Sequence, residues 1–237
     1  MKQTAEMVTQ ALWKLGDPEK ASLSHRFFKA GPGEYAEGDK FMGVTVPLQR
    51  KLVKEFKDLA LGEITSLLES EYHECRLTGL LILVHRYQKA KAAKEKEKFC
   101  EYYLSKLDHV NNWDLVDSTA YKLLGAEIVR TGDETILDEL ASSEDLWRER
   151  VAVIATLALI KSKDFEPTLR LCKQFLDHEH DLIHKATGWM LREAGKVNKT
   201  VLETFLARNS RKMPRTMLRY AIERLPKAER DRWMGRK

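Results

Sequence analysis

The run VAVIATLALI at residues 151–160 decides the fold class. Its ten residues are about half of the roughly 20 that cross a bilayer, so the run predicts a buried helix. The rest of the chain also places apolar residues at spacings of three and four, and its 12 glycines and 6 prolines mostly fall between such stretches. We find no convincing alternation of apolar and polar residues that would predict a strand. The sequence therefore indicates an all-α fold.

The apolar periodicity predicts a succession of helices along almost the whole chain. We expect them at residues 2–15, 17–29, 47–60, 73–90, 92–107, 112–130, 134–142, 145–162, 166–177, 181–196, 200–208, 214–225 and 227–234. The connection AGPGEYAEGDKFMGVTV at residues 30–46 lacks this periodicity, and we expect an ordered loop there. Its glycines do not predict a phosphate-binding loop, because no strand precedes them and Glu34, Glu37 and Asp39 would repel phosphate.

The longer helices repeat a common pattern, and a shorter helix precedes each of them. The repeating unit is a helix pair of roughly 30 to 41 residues, which is typical of helical solenoids. We therefore expect one domain over residues 1–237, a right-handed superhelical solenoid of antiparallel helix pairs with a concave, basic groove. Aligned positions of the longer helices would line that groove; they are Arg76, Asp117, Arg150, Lys185 and Arg215.

Composition and charge indicate a globular protein with an anionic partner. The 237 residues are 43% hydrophobic, and 41 basic against 36 acidic side chains give a formal charge of +5. The amphipathic N-terminus lacks the apolar core of a signal peptide, so we expect a cytoplasmic protein without membrane association. The three cysteines are too few and too widely spaced for a disulfide framework or a zinc knuckle.

Four of the five aligned groove positions are basic. A row of basic side chains along the groove would bind successive phosphates of a nucleic-acid backbone. Further basic residues lie near the C-terminal end of the predicted groove. The predicted backbone-binding residues are Arg76, Lys185, Arg211, Lys212, Arg215 and Arg219. The alternative is that these residues are ordinary solvated helix surface.

Asp117 is the acidic exception among the aligned positions, and it suggests chemistry that needs a negative charge. Trp113 lies one helical turn before it, on the same face. Trp189 follows Lys185 by four residues. Core packing is the ordinary role of a tryptophan, but Trp113 and Trp189 share faces with polar residues and are candidates for ligand contact. His180 and His184 have the spacing of a metal-binding pair, yet a solvated turn is the simpler interpretation.

The segments HRFFKAG, VPLQRKLVKEF, NNWDLVDS, LWRERVAVIATLALI and HKATGWMLREAGK occur in this order in the chain. Together they resemble the AlkD-type alkylpurine DNA glycosylases, which are built from HEAT-like helical repeats, and the resemblance extends from about residue 10 to 225. It implies that Asp117 is the catalytic aspartate. It also implies that Trp113 and Trp189 are active-site tryptophans and that Arg150 contacts the backbone near the lesion. Phe27 stands where the family pattern has a tyrosine, so a hydroxyl contact is lost while packing against DNA is retained.

The resemblance implies a monofunctional glycosylase that removes cationic N3- or N7-alkylated purines from duplex DNA and leaves an abasic site. We expect no metal, no cofactor and a monomer. The alternative function is a non-catalytic HEAT-like scaffold that binds distorted DNA or a protein partner, since repeat folds often serve binding alone. Asp117 discriminates between the two, because a groove that only binds DNA has no evident use for an aspartate among its cations.

Overall fold

The computed structural model describes residues 3–235, which are all-helical apart from loops and one isolated bridge. The chain divides into two compact units, Met1–Thr119 and Ala120–Lys237, and the single domain stays a prediction. None of the described helices is long and apolar enough to cross a membrane. The helices of the first unit are α1 Ala5–Lys14, α2 Pro18–Phe27, α3 Val46–Glu55, α4 Leu61–Leu68, α5 His73–Lys89, α6 Ala93–Leu104 and α7 Trp113–Thr119.

The second unit begins with a turn of 3-10 helix at Ala120–Lys122. Its α-helices are α8 Leu124–Thr131, α9 Thr135–Ala141, α10 Leu146–Lys161, α11 Glu166–Gln174, α12 Asp181–Val197, α13 Lys199–Asn209, α14 Arg215–Ile222 and α15 Lys227–Met234. Helices α10, α12 and α14 pack side by side in this order, while α9 packs on α10 and α11 packs on both α10 and α12. Within the second unit, α9 and α11 thus each pack on the longer helix that follows them, while the solenoid arrangement stays a prediction.

The all-α class is confirmed, with two differences in the helices. Helix α4 was not predicted, because its eight residues are fewer than the window over which helical periodicity becomes visible. The helix predicted over 112–130 is interrupted, because α7 ends at Thr119 and α8 begins at Leu124. Thr119 Oγ1 donates to the Leu115 carbonyl oxygen at 2.6 Å, a side-chain bond of a kind that often bends helices.

Helix α5 is the centre of the first unit. It is buried continuously from His73 to Val84, and α1, α3, α4, α6 and α7 all pack against it. A helix enclosed on so many sides cannot show the one-sided pattern of a surface helix. Its N-terminal turn carries the charged residues that organise the loop before α3 and the start of α7.

The connection at residues 30–46, here the 30–46 loop, is held to the N-terminal end of α5. The buried Glu74 carboxylate accepts hydrogen bonds from the backbone N–H groups of Met42, Gly43 and Val44 at 2.8–3.2 Å. Lys40 accepts through its carbonyl oxygen from the His73 N–H group at 2.9 Å. Backbone groups that would otherwise be buried without partners are thus satisfied, and the loop has a defined conformation.

We predict that Gly43→Ala destabilises the protein by more than about 2 kcal/mol in urea unfolding, because positive-φ strain adds to a severe clash. Gly43 has a φ of +79°, and a β-carbon there would lie 2.0 Å from the Asp17 carbonyl oxygen. Gly33→Ala is the matched control, since Gly33 has a similar φ of +74° but no atom within 4 Å of its added β-carbon. Equal losses in the two variants would contradict close packing at Gly43.

Candidate functional site

Trp113 and Asp117 lie on α7 in the first unit, one helical turn apart and both half-buried. The opposite side of the helix carries Leu115 and Val116, which are completely buried. Asn112 precedes the helix, and its side-chain oxygen accepts a hydrogen bond from the Trp113 backbone N–H at 2.8 Å. Burial of one side therefore turns the tryptophan and the aspartate toward the partly exposed side.

Two phenylalanines from the end of α2 pack against the Trp113 indole. Phe28 stacks on it with ring centroids 5.3 Å apart and an interplanar angle of 25°, and Phe27 meets it edge-on at 5.6 Å. Phe28 also stacks on Phe41 of the 30–46 loop at 5.4 Å. Phe27, one of the predicted contact residues, is 65% exposed. One face of the indole is thus covered by protein, and its orientation is fixed by packing.

A cluster of four buried charged residues lies beside these rings: Asp39, His73, Arg76 and Asp114, here the charge cluster. His73 Nε2 is 2.8 Å from Asp114 Oδ2, and His73 Nδ1 is 3.4 Å from Asp39 Oδ2. Arg76 Nη2 donates to Asp39 Oδ1 at 2.6 Å, and its Nη1 donates to the Ser70 carbonyl oxygen at 2.9 Å. The cluster joins the 30–46 loop, α5 and α7. His73, Asp114 and Phe28 were not among the site residues predicted from the sequence.

The charge cluster keeps His73 protonated. Burial alone would lower the pKa of His73, but the charge and hydrogen bond of Asp114, together with the hydrogen bond to Asp39, raise it to about 9. Burial would also raise the pKa of Asp39, whereas its contacts with His73 and Arg76 hold that pKa below its ordinary value. Asp39 and Asp114 therefore each contact the His73 imidazolium in a buried setting, and Asp39 also contacts Arg76.

Tyr103 on α6 supports the end of α7. Because Thr119 uses its proton for the Leu115 carbonyl, the Tyr103 hydroxyl must be the donor in its 3.1 Å bond to Thr119 Oγ1. Burial, assisted by the negative charge of Asp117, raises the pKa of Tyr103 far above its ordinary value. The phenol thus stays neutral and acts as a hydrogen-bond donor near the aspartate.

Arg76 and Arg150 are not groove side chains open to solvent. Each is 4% exposed. Arg76 pairs with Asp39 inside the charge cluster, and Arg150 donates to the Leu182 carbonyl oxygen in the second unit. The guanidinium of Arg76 is committed to a buried carboxylate, and this pairing would have to break before it reached a phosphate. DNA-backbone binding by Arg76 stays a prediction. Arg150 is buried and donates to a backbone carbonyl oxygen rather than to a carboxylate, and its implied contact near the lesion stays a prediction.

The other predicted residues lie in the second unit and keep some exposure. Trp189 is half-buried on α12, and its indole N–H donates to Glu193 at 3.0 Å. Lys185 is half-exposed and pairs with Asp181 at 2.8 Å. The remaining cations, around the start of α14, are exposed; they are Arg211, Lys212, Arg215 and Arg219.

The histidines near the start of α12 cap backbone groups. His180 Nδ1 accepts from the Leu182 N–H at 3.1 Å, and His178 Nδ1 accepts from the His180 N–H at 3.0 Å. His178 Nε2 therefore carries the proton and donates to Glu149 at 2.9 Å. Burial lowers the pKa of His180. Across residues 3–235, no group of three or more His, Cys, Asp or Glu side chains is placed to hold a metal ion.

Comparison with known proteins identifies the class. The family model for DNA alkylation repair enzymes matches residues 8–225, so the chain belongs to that family. A solved structure described as a predicted DNA alkylation repair enzyme from Enterococcus faecalis is similar, with a TM-score of 0.70 and 22% sequence identity. The match covers 90% of this chain and 97% of that one, and it supports the fold. No curated protein matches this chain significantly.

The charge cluster predicts a stability that falls in alkaline solution. In the folded state the pKa of His73 is raised to about 9 from 6.5. The contribution of protonated His73 to the free energy of unfolding is therefore fully present below pH 6.5 and is lost as the pH rises through about 9. We expect urea unfolding to show a loss of roughly 3 kcal/mol across this window. The loss should be absent in His73→Gln, which shares every other titrating group. A wild-type profile parallel to that of the variant would contradict a protonated His73.

Proposed function

We propose that the protein is a DNA glycosylase that hydrolyses the N-glycosidic bond of cationic N3- or N7-alkylated purines in duplex DNA. The observation that carries this proposal is the pairing of Trp113 and Asp117 on the partly exposed side of α7, in a chain that belongs to the DNA alkylation repair enzymes. A half-buried carboxylate beside an aromatic face suits a reaction in which positive charge develops on a sugar.

The substrate reduces the chemistry that the protein must supply. A purine alkylated at N3 or N7 already carries a positive charge, so it leaves as a neutral base when the bond to C1′ breaks. Positive charge then develops on the deoxyribose, and the Asp117 carboxylate would stabilise it while orienting a water molecule. The water oxygen bonds to C1′ and its proton passes to the carboxylate or to solvent. We propose that no metal or cofactor takes part, because this leaving group needs no Lewis acid.

Trp113 would provide selectivity for charged nucleotides. An aromatic face attracts a cation by about 0.5–2 kcal/mol, a gain that a neutral base would not receive in full. Because Phe28 already stacks on one face of the indole, the ring is oriented before DNA arrives. Phe27, largely exposed and in edge contact with Trp113, would add apolar packing against the DNA.

In the second unit, we propose that the exposed cations bind phosphates. Arg211, Lys212, Arg215 and Arg219 all lie at or near the first two turns of α14, and Lys185 lies on α12. Distributed positive charge of this kind binds a backbone without reading sequence. Trp189 is a further proposed lesion contact. The HEAT-like superhelix with a basic groove, the monomeric state and the cytoplasmic location belong to the same proposal.

The role of Asp117 is tested by the release of free 7-methylguanine and 3-methyladenine from methylated duplex DNA in the presence of a chelator. We expect Asp117→Asn to reduce the rate about a hundredfold or more while binding to DNA persists, because the stabilising charge is lost and the shape is kept. Asp58→Asn is the matched control, since Asp58 is exposed on another loop of the same unit.

The outcomes separate the two candidate functions. A wild-type protein that binds methylated DNA and releases no base would be a scaffold rather than a glycosylase. Release at the wild-type rate by Asp117→Asn would remove the proposed role of that carboxylate while leaving the activity in place.

A further inference from the structure

We propose that His73 is a positioning residue, which ties the 30–46 loop to the first turn of α7 and so holds Trp113 and Asp117 in place. Its effect on the reaction rests on the proposed function. The structural coupling between the loop and the helix does not, and it can be measured separately.

Each ring nitrogen of His73 faces a different carboxylate. Nε2 faces Asp114 at 2.8 Å and Nδ1 faces Asp39 at 3.4 Å, and these carboxylates belong to α7 and to the 30–46 loop. A carboxylate accepts hydrogen bonds but cannot donate them, and a neutral imidazole has one N–H. His73 can therefore bond both partners only as an imidazolium.

The charges around His73 balance in that form. Asp39 and Asp114 face it from the loop and from α7, Arg76 faces it from its own helix, and Phe28 and Phe41 cover it with aromatic rings. The set thus has two negative and two positive groups. Loss of the His73 proton would leave an excess negative charge in a buried place. The proton on Nδ1 should leave first, because its contact is the longer one, and this would weaken the bond to the loop.

Phe28 provides a second route from His73 to the site. Its ring centroid lies 4.7 Å from the centroid of the imidazole, at an interplanar angle of 32°. The same ring stacks on the Trp113 indole at 5.3 Å. An imidazolium near an aromatic face is attracted to the ring, so the charge on His73 stabilises the position of Phe28. The indole of Trp113 rests on that ring. His73 therefore acts on α7 through Asp114 and on Trp113 through Phe28.

The proposal is tested with three variants. His73→Gln removes the cation, Asp114→Asn keeps the shape of the partner but removes its charge, and His85→Gln is the control on the same helix α5. Base release is measured between pH 6 and 10.5 with spontaneous release subtracted. The imidazole of His73 is titrated by nitrogen NMR, with its signals assigned by their absence from His73→Gln.

We expect wild-type release to fall at alkaline pH as His73 loses its proton. His73→Gln should reduce release about tenfold to a hundredfold at neutral pH, as expected for a small misplacement of reacting groups, and should lack the alkaline fall due to His73. Asp114→Asn should move that fall, and the NMR titration, to lower pH because the stabilising charge is gone. His85→Gln should match the wild type. If His73 only filled space, the pH at which release falls would be the same in Asp114→Asn and in the wild type.

Hydrogen exchange separates this proposal from the proposed function. His73→Gln should increase exchange in residues 39–44 and 113–119 together, whether or not the protein releases bases. If the wild type is inactive but this joint increase occurs, the glycosylase proposal fails and the coupling stands. Unchanged exchange in both segments, or an alkaline inflection that stays the same in Asp114→Asn, overturns the role of His73. If His73→Gln does not fold, the role of His73 is tested by Asp114→Asn alone, through the pH of the alkaline inflection and of the NMR titration.

Discussion

Buried carboxylates need cations, and in the first unit this requirement links three segments that are distant in sequence. Asp39 and Asp114 lie in a setting that would otherwise disfavour their charge, and His73 and Arg76 from a single turn of α5 neutralise them. An interaction of this kind depends on every partner, because removing one leaves a charge buried without compensation. These contacts join the 30–46 loop and the start of α7 to α5, beside the aromatic rings that pack on Trp113.

The placement of Trp113 and Asp117 on one helix could be predicted from the sequence, because it depends only on the spacing of neighbouring residues. They are one helical turn apart, and Asp117 is acidic whereas the equivalent positions of the other predicted repeats are basic. The all-α class was predictable for the same reason, since apolar spacing is a property of neighbouring residues. The short helix α4 could not be predicted, because it has too few residues to show a clear periodicity. The interruption after Thr119 could not be predicted either, because it involves a side-chain hydrogen bond to the helix backbone.

The charge cluster could not be predicted from local pattern. His73 is separated by 34 and 41 residues from the two aspartates that it contacts. The repeat register placed Arg76 with the groove cations, and it could not show that an aspartate from an irregular loop would fold back over it. An arginine at a repeated position is thus equally compatible with phosphate binding and with a buried ion pair. Burial distinguishes the two, and the exposed cations around α14 remain the better candidates for binding DNA.

The proposed function requires that this member of the DNA alkylation repair enzymes breaks the glycosidic bond. The most direct test is mass spectrometry of both products after reaction with a duplex that carries a single 7-methylguanine. If the glycosidic bond is hydrolysed, we expect intact 7-methylguanine in solution and an abasic site at the same position in an otherwise unbroken strand. Recovery of unmodified guanine in the strand, with no free base, would contradict the proposed function and would indicate repair by removal of the methyl group.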